Sequence, residues 1–259
     1  MDALIGGSGF VGATLQRQRT FDQIYRSTDI GEIDGRTFET VICAGAPAQK
    51  WIADRDPDAD IANLKGLAAH LATLKAETFI LISTVDVFAD SQGRDESSAP
   101  DEVALGAYGR NRLWLERFVQ AQFAQTLVVR LPGLVGPGLR KNVIYDFLNA
   151  NNLAQIESRG VFQFYPMVNL WADLRTALSA GLDLIHLTAE PISVADVSAE
   201  GFGRAFDNRI PGREPARYEL QTRHAALFGG QGRHTYSRRD SLMAVRAYAQ
   251  SEPASKPSV

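Results

Sequence analysis

Cysteine, methionine, tryptophan and histidine are all scarce in this chain of 259 residues, which holds one Cys, three Met, three Trp and four His. Cys43 alone cannot close an internal disulfide, so no oxidised framework is expected to hold the fold. His70, His186, His224 and His234 lie apart from one another and from Cys43, which leaves no metal-ligand spacing and no metal expected. Long apolar runs are missing too: none approaches the ~18 residues that a membrane span requires, because Asp, Gly or Pro interrupts each. The N-terminus enters a strand directly, without a charged signal-like stretch, so the expected place is the cytoplasm, with no membrane partner. Charge of one sign is also lacking. The net charge is −3 and the pI near 5.8, and basic residues gather only at Arg140-Lys141 and Arg238-Arg239. That leaves no polyanion-binding surface, and nucleic acid is not an expected partner. There is no G-x-x-x-x-G-K-[ST] segment for a P-loop, and Gly6-Gly7-Ser8-Gly9-Phe10 misses G-x-S-x-G at its last position.

What remains is the composition of an ordinary soluble globular protein, 45% hydrophobic and 22% charged. Its most informative segment is Leu4-Ile5-Gly6-Gly7-Ser8-Gly9-Phe10-Val11-Gly12, a short apolar strand running into a glycine-rich turn. Gly7, Gly9 and Gly12 satisfy G-x-G-x-x-G, and Gly6, Gly9 and Gly12 satisfy G-x-x-G-x-x-G. Such a turn lets a pyrophosphate approach bare backbone, with the amides of the following helix facing it. Gly6 to Gly12, with Ser8, Phe10 and Val11 between the glycines, are therefore candidate dinucleotide ligands.

Strands and helices then alternate. Strands are expected at 3–5, 23–26, 40–44, 79–83 and 126–131, and helices at 10–18, 60–74 and 108–123, where apolar residues recur at helical spacing. This is the pattern of a doubly wound parallel α/β sheet, a Rossmann fold, over residues 1–131. After Pro132 the alternation is lost. Helices are expected near 142–149, 170–180, 197–206 and 240–249 and strands at 160–164 and 184–187, forming a smaller substrate-binding lobe over 132–250, partly interleaved with the first domain. Residues 251–259 are polar and proline-bearing and are expected to form a loose tail.

A second constellation lies at the ends of the middle strands. Ser83-Thr84-Val85-Asp86-Val87-Phe88 follows one strand and Tyr108-Gly109-Arg110-Asn111-Arg112 opens the next long helix, where Tyr108 and Arg112 share a face. In a doubly wound sheet the crevice lies outside the carboxyl ends of the strands, where Thr84 and the glycine turn would also sit. Together these motifs resemble the extended short-chain dehydrogenase/reductase superfamily of nucleotide-sugar epimerases, dehydratases and reductases. Further segments resemble that family's motifs, Ala44-Gly45-Ala46, Asn63-Leu64-Lys65-Gly66-Leu67 and Arg130 to Gly138, and the resemblance implies that Ala44, Gly45, Ala46, Asn63 and Leu131 bind the cofactor. The Ser-Thr-x-x-Val-Phe spelling is most similar to the dTDP-4-dehydrorhamnose reductase branch.

The resemblance implies an NAD(P)-dependent oxidoreductase or epimerase acting on a nucleotide sugar or related carbohydrate. Tyr108 would be its acid/base, Thr84 would hold the substrate oxygen, and Asn142 would lie near the substrate's diphosphate. It also implies a homodimer paired through the helices around Asn63 and Tyr108. One position departs from the family: Tyr-x-x-x-Lys is here Tyr-x-x-x-Arg. Arg112 keeps a cation that can orient the cofactor ribose and favour phenolate, but it cannot join a proton relay because its pKa lies above ~12. The alternative is therefore a catalytically weak or silent NADP-binding sensor or scaffold. Arg26 and Ser27, at the end of the second strand, suit a ribose 2′-phosphate and favour NADP, whereas Asp29 would select NAD if that strand ran further.

Overall fold

The computed structural model describes residues 1–254; of the expected tail, 255–259 lie outside the described residues. The chain divides into two compact units. The first comprises 1–90, 96–131 and 171–186, and the second comprises 91–95, 132–170 and the chain from 187 onward.

The first unit is built on β1 (Asp2–Ile5), β2 (Gln23–Tyr25), β3 (Thr37–Cys43), β4 (Lys75–Thr84) and β5 (Thr126–Leu131). Its helices include α1 (Phe10–Gln18), α2 (Lys50–Arg55), α3 (Pro57–Leu71) and α4 (Ala107–Gln122). A sixth strand, Leu184–His186, follows the helix Leu170–Ser179 and closes a sheet in which every pairing is parallel. The strand order, β2-β1-β3-β4-β5 and then Leu184–His186, is that of a doubly wound Rossmann sheet. Ala3 to Ile5, Val41 to Cys43, Phe79 to Leu81 and Leu127 to Val129 are all buried, as strands covered on both faces must be. From the helices, Leu64, Leu71, Leu115, Val119 and Phe123 pack on this layer, and the Phe123 ring stacks on Phe79 at 4.2 Å.

Element edges differ from the sequence reading where burial is partial. β4 begins at Lys75 rather than Phe79, because Lys75 to Thr78 alternate exposed and half-buried while pairing with β3. The helix expected to Leu74 accordingly ends at Leu71. α2 was not expected; it is a six-residue helix with one buried side chain, Ala53, too short to show periodicity. Between β2 and β3 a single 3-10 turn, Ile30–Ile33, stands where a full helix would fit, as the short connection implies.

The second unit holds β6 (Gly133–Val135), α5 (Val143–Asn149), β7 (Val161–Phe162) and β8 (Phe164–Pro166), and later the helix Arg238–Ser251. β6 pairs parallel with β8, and β7 pairs antiparallel with Ile192–Ser193. The buried Gln163 side chain ties this unit together, donating to the carbonyls of Ala189 and Leu220 at 2.7 and 2.8 Å. The helical stretch expected over 197–206 begins earlier, with the short helix Val194–Asp196, and runs on as the wide turn Val197–Gly201. Gly203, at φ +68°, ends any continuation. No helix among the described residues is long and apolar enough to cross a membrane.

Candidate active site

The glycine turn follows β1 directly. Gly6 adopts φ +86°, and its amide donates to the Tyr25 carbonyl at the end of β2 at 2.9 Å. A Cβ on Gly6 would lie 2.4 Å from the Ala44 oxygen, one on Gly7 2.4 Å from the Ile24 side chain, and one on Gly12 2.2 Å from the Gly6 oxygen. These three glycines are thus required by the protein's own packing. Gly9 is different: a Cβ there would meet only the Gly6 oxygen, at 3.5 Å, an ordinary contact. Gly9 is also the N-cap of α1 and has no side chain to bond the first amides, and the first turn of α1 has no acidic residue. The first amides of the helix are therefore met neither by a cap side chain nor by an acidic residue of their own turn.

Beyond β2, Arg26 and Ser27 are exposed. β2 ends at Tyr25, and a carboxylate oxygen of Asp29 accepts the backbone amide of Arg26, so that side chain is turned back on its own loop. Ala44, Gly45 and Ala46 follow β3, with the Ala44 amide bonded to the Ile5 carbonyl at 2.9 Å. Leu131 ends β5, buried. Asn63 is exposed on α3.

Thr84 is the last residue of β4. Its hydroxyl accepts from the Asp86 amide at 3.2 Å and donates to the Asp86 carboxylate at 3.3 Å. α4 starts close against this turn because Gly109 has no side chain; a Cβ there would fall 2.0 Å from the Asp86 carbonyl oxygen. Tyr108, the residue before Gly109, thus starts α4 beside this turn, and Thr84 is among the groups that act on its phenol. The Tyr108 amide is held by Asp54 of α2 at 3.1 Å. Tyr108 is only 7% exposed. Burial pushes its phenol above the usual tyrosine range and outweighs the opposing pull of Arg112. Asp86 raises it further, while the Thr84 hydrogen bond and Lys50 draw it down.

Arg112 lies with its guanidinium carbon 4.1 Å from the centre of the Tyr108 ring. Its charge is engaged elsewhere. One terminal nitrogen donates to the Asp60 carboxylate of α3, the other to the Pro47 carbonyl, and both side chains of the ion pair are buried. Asp60 also accepts from Asn111 at 2.8 Å. The Arg112 Nε is buried without a protein partner.

Sequence reasoning missed several of these groups. Asp60 lies 52 residues before its arginine and carries no local signal. Lys50 of α2 makes an ion pair with Asp86 at 2.7 Å. Behind the site, Arg130 on β5 forms a two-point contact with Glu116 of α4, at 3.1 and 2.7 Å, and meets the His186 ring at 3.3 Å. A charged residue inside the apolar run Thr126–Leu131 was a signal for such a partner, since a buried cation demands one. In the second unit, Asn142 caps α5: its Oδ1 accepts from the Ile144 amide and its Nδ2 donates to the Leu134 carbonyl, each at 2.9 Å. Cys43 is buried, and burial pushes its thiol up to about 11. No cluster of His, Cys, Asp or Glu that could hold a metal is found among the described residues.

Fold and site together define a Rossmann-type α/β protein with a glycine cradle after its first strand and a threonine–tyrosine pair at a strand end. No protein-family model and no curated protein sequence matches the chain. Solved structures do. A dTDP-4-dehydrorhamnose reductase from Clostridium acetobutylicum superposes with a TM-score of 0.70 at 19% identity, covering 96% of this chain and 99% of its own. RMD from Pseudomonas aeruginosa, complexed with NADPH, gives 0.69 at 18% identity over 96% and 99%. MoeE5 in complex with UDP-glucuronic acid and NAD gives 0.72 at 16% identity over 96% and 98%. At these identities the likeness establishes a common fold.

Proposed function

We propose that this protein is an NADP(H)-dependent reductase or epimerase acting on a nucleotide sugar or related carbohydrate. The observation that carries the reading is the Thr84–Tyr108 pair at the end of the strand and helix that follow a glycine cradle. Within that cradle, only the space over Gly9 has no protein wall. The dinucleotides and sugar nucleotides in the names of the structural neighbours agree with it.

The residues fit a dinucleotide. The amides at the start of α1 would hold the diphosphate, Arg26 and Ser27 would take a ribose 2′-phosphate, and Ala44 to Ala46 and Leu131 would hold the rest of the dinucleotide. When bound, the nicotinamide supplies or accepts hydride. Tyr108 holds its proton through the neutral range because burial raises its phenol, and that suits donation to a carbonyl oxygen, the reductive half of the chemistry. Thr84 positions that oxygen beside the phenol. Arg112 lies under the ring, and Asp60 and Pro47 hold it there, so its part is to place Tyr108. Asn142 acts by shaping the start of α5.

A second reading is favoured by one observation: Arg112 donates from each terminal nitrogen to the protein, to Asp60 and to the Pro47 carbonyl. On that reading the protein binds NADP(H) without turnover and serves as a sensor or scaffold. Titration of purified protein with NADPH and NADH, followed by nicotinamide absorbance with a panel of 4-keto nucleotide sugars, decides. Consumption supports the enzyme, binding without consumption supports the sensor, and no binding of either coenzyme overturns both.

A further inference from the structure

The second unit holds an open cleft of about 560 Å³, lined among others by Leu148, Glu200, Phe202, Arg204, Arg246 and Ala249. That volume falls within the ~300–1,000 Å³ usual for small-molecule sites, and none of these residues belongs to the site described above. Its floor is fixed. The wide turn Val197–Gly201 packs so closely on the helix Arg238–Ser251 that a Cβ on Gly201 would lie 2.5 Å from the Val245 side chain. The Ser198 hydroxyl donates to the Arg204 carbonyl at 2.8 Å, and the Arg204 amide donates back to the Ser198 carbonyl at 3.2 Å. The charge along the cleft is uneven. Its one carboxylate, Glu200, is paired with Arg238. Arg204 and Arg246 each give one nitrogen to a backbone carbonyl, those of Phe147 and Glu200, both at 2.8 Å, and neither forms an ion pair among the described residues. Their other donors have no protein acceptor. Beside them stands an apolar wall, with the Arg204 guanidinium carbon 5.5 Å from the centre of the Phe202 ring.

We propose that this cleft is a second binding site, for a small phosphorylated molecule, with Arg204 and Arg246 as the ligands of its phosphate. Two guanidiniums without carboxylate partners at one cavity favour an anion, and their number favours phosphate. A planar carboxylate is satisfied by a single guanidinium fork, whereas the three terminal oxygens of a phosphate group can accept from two. The carbonyl bonds to Phe147 and Glu200 already hold both side chains in place, so less freedom is lost when the anion arrives. Leu148, Phe202 and Ala249 then cover the organic part of the molecule. The site stands whether or not the reductase reading does, because it shares no residue with it.

The test is NMR of the full chain labelled with heavy nitrogen, titrated with inorganic phosphate and followed at the arginine Nε–H signals. Arg204→Gln and Arg246→Gln identify the two signals that matter. Both residues are exposed, so the variants should keep the wild-type melting temperature. In the wild type the two signals should move together and saturate with one dissociation constant. Read at the remaining arginine, each variant should bind phosphate about tenfold more weakly, the scale of one lost charge-assisted contact. Arg26→Ala, which removes an exposed cation of the first unit, should leave the constant unchanged, and succinate should bind more weakly than phosphate. Unmoved Arg204 and Arg246 signals in the wild type, an equal loss in R26A, or succinate as tight as phosphate would each overturn the proposal. Should either glutamine variant fail to fold, the wild-type titration against phosphate and succinate still decides.

Discussion

Replacing Asp60 by alanine removes the carboxylate that neutralises Arg112, and the consequence can be worked from the geometry. Arg112 is 3% exposed and Asp60 7%, so neither charge is relieved by water. Breaking such a buried pair from one side costs about 3–5 kcal/mol, because the remaining charge is left uncompensated. The same Asp60 oxygen also accepts from Asn111 at 2.8 Å, and a buried donor left without a partner costs about 1–3 kcal/mol. The two losses share one oxygen and do not add, so D60A should lose about 4 kcal/mol. With a urea slope near 3 kcal/mol/M, the midpoint should fall by about 1–2 M at unchanged slope. The double variant D60L/R112M should recover most of this, because apolar groups in place of a buried pair are close to neutral. If R112M alone also keeps NADPH affinity within about threefold, a change of under 1 kcal/mol, Arg112 is a brace for Tyr108 and not a ribose ligand. A D60A midpoint within error of the wild type would refute the buried Arg112–Asp60 pair as a brace.

Other expectations follow from single sites. G9A should fold with wild-type stability, since its Cβ meets only an ordinary contact at 3.5 Å, yet lose NADPH binding in a fluorescence titration. G12A, whose Cβ would sit 2.2 Å from the Gly6 oxygen, should be destabilised by about 1–3 kcal/mol as well. R26A should weaken NADPH binding by about ten- to a hundredfold, the worth of a charge-assisted contact, while leaving NADH nearly untouched; equal losses for both coenzymes would exclude a 2′-phosphate role. In the second unit, Arg159 and the Ile210 amide hold the Glu157 carboxyl down at about 2, well below its ordinary 4.5. A lowered folded-state pKa adds stability that is complete above the ordinary value and is lost as pH falls toward 2. E157Q should therefore be less stable than wild type at neutral pH, and the gap should close in melts taken across that acid range.

The fold was largely legible because its signals are local. Continuous apolar runs at Phe79 to Ser83 and Thr126 to Leu131 can only be strands covered on both faces, and the glycine turn after β1 fixes where the first helix begins. Legibility failed where burial is partial, as at the exposed start of β4, or where an element is shorter than the period that would reveal it, as in α2. The short α2 matters for the site, since it carries both Asp54 and Lys50.

The site shows the sharper limit. Read as a string, Tyr-x-x-x-Arg puts a cation four residues after the tyrosine, which raises the expectation of duties toward ribose and phenol for Arg112. In the fold, what a cation does is decided by which acceptors reach it first, and these are Asp60 and the Pro47 carbonyl, remote in sequence and one helix away in space. A guanidinium so held contributes its position under the Tyr108 ring, while burial sets the net direction of the phenol. An arginine so placed supplies position and charge, and its guanidinium keeps its proton throughout the working range. Holding the tyrosine stays with residue 112.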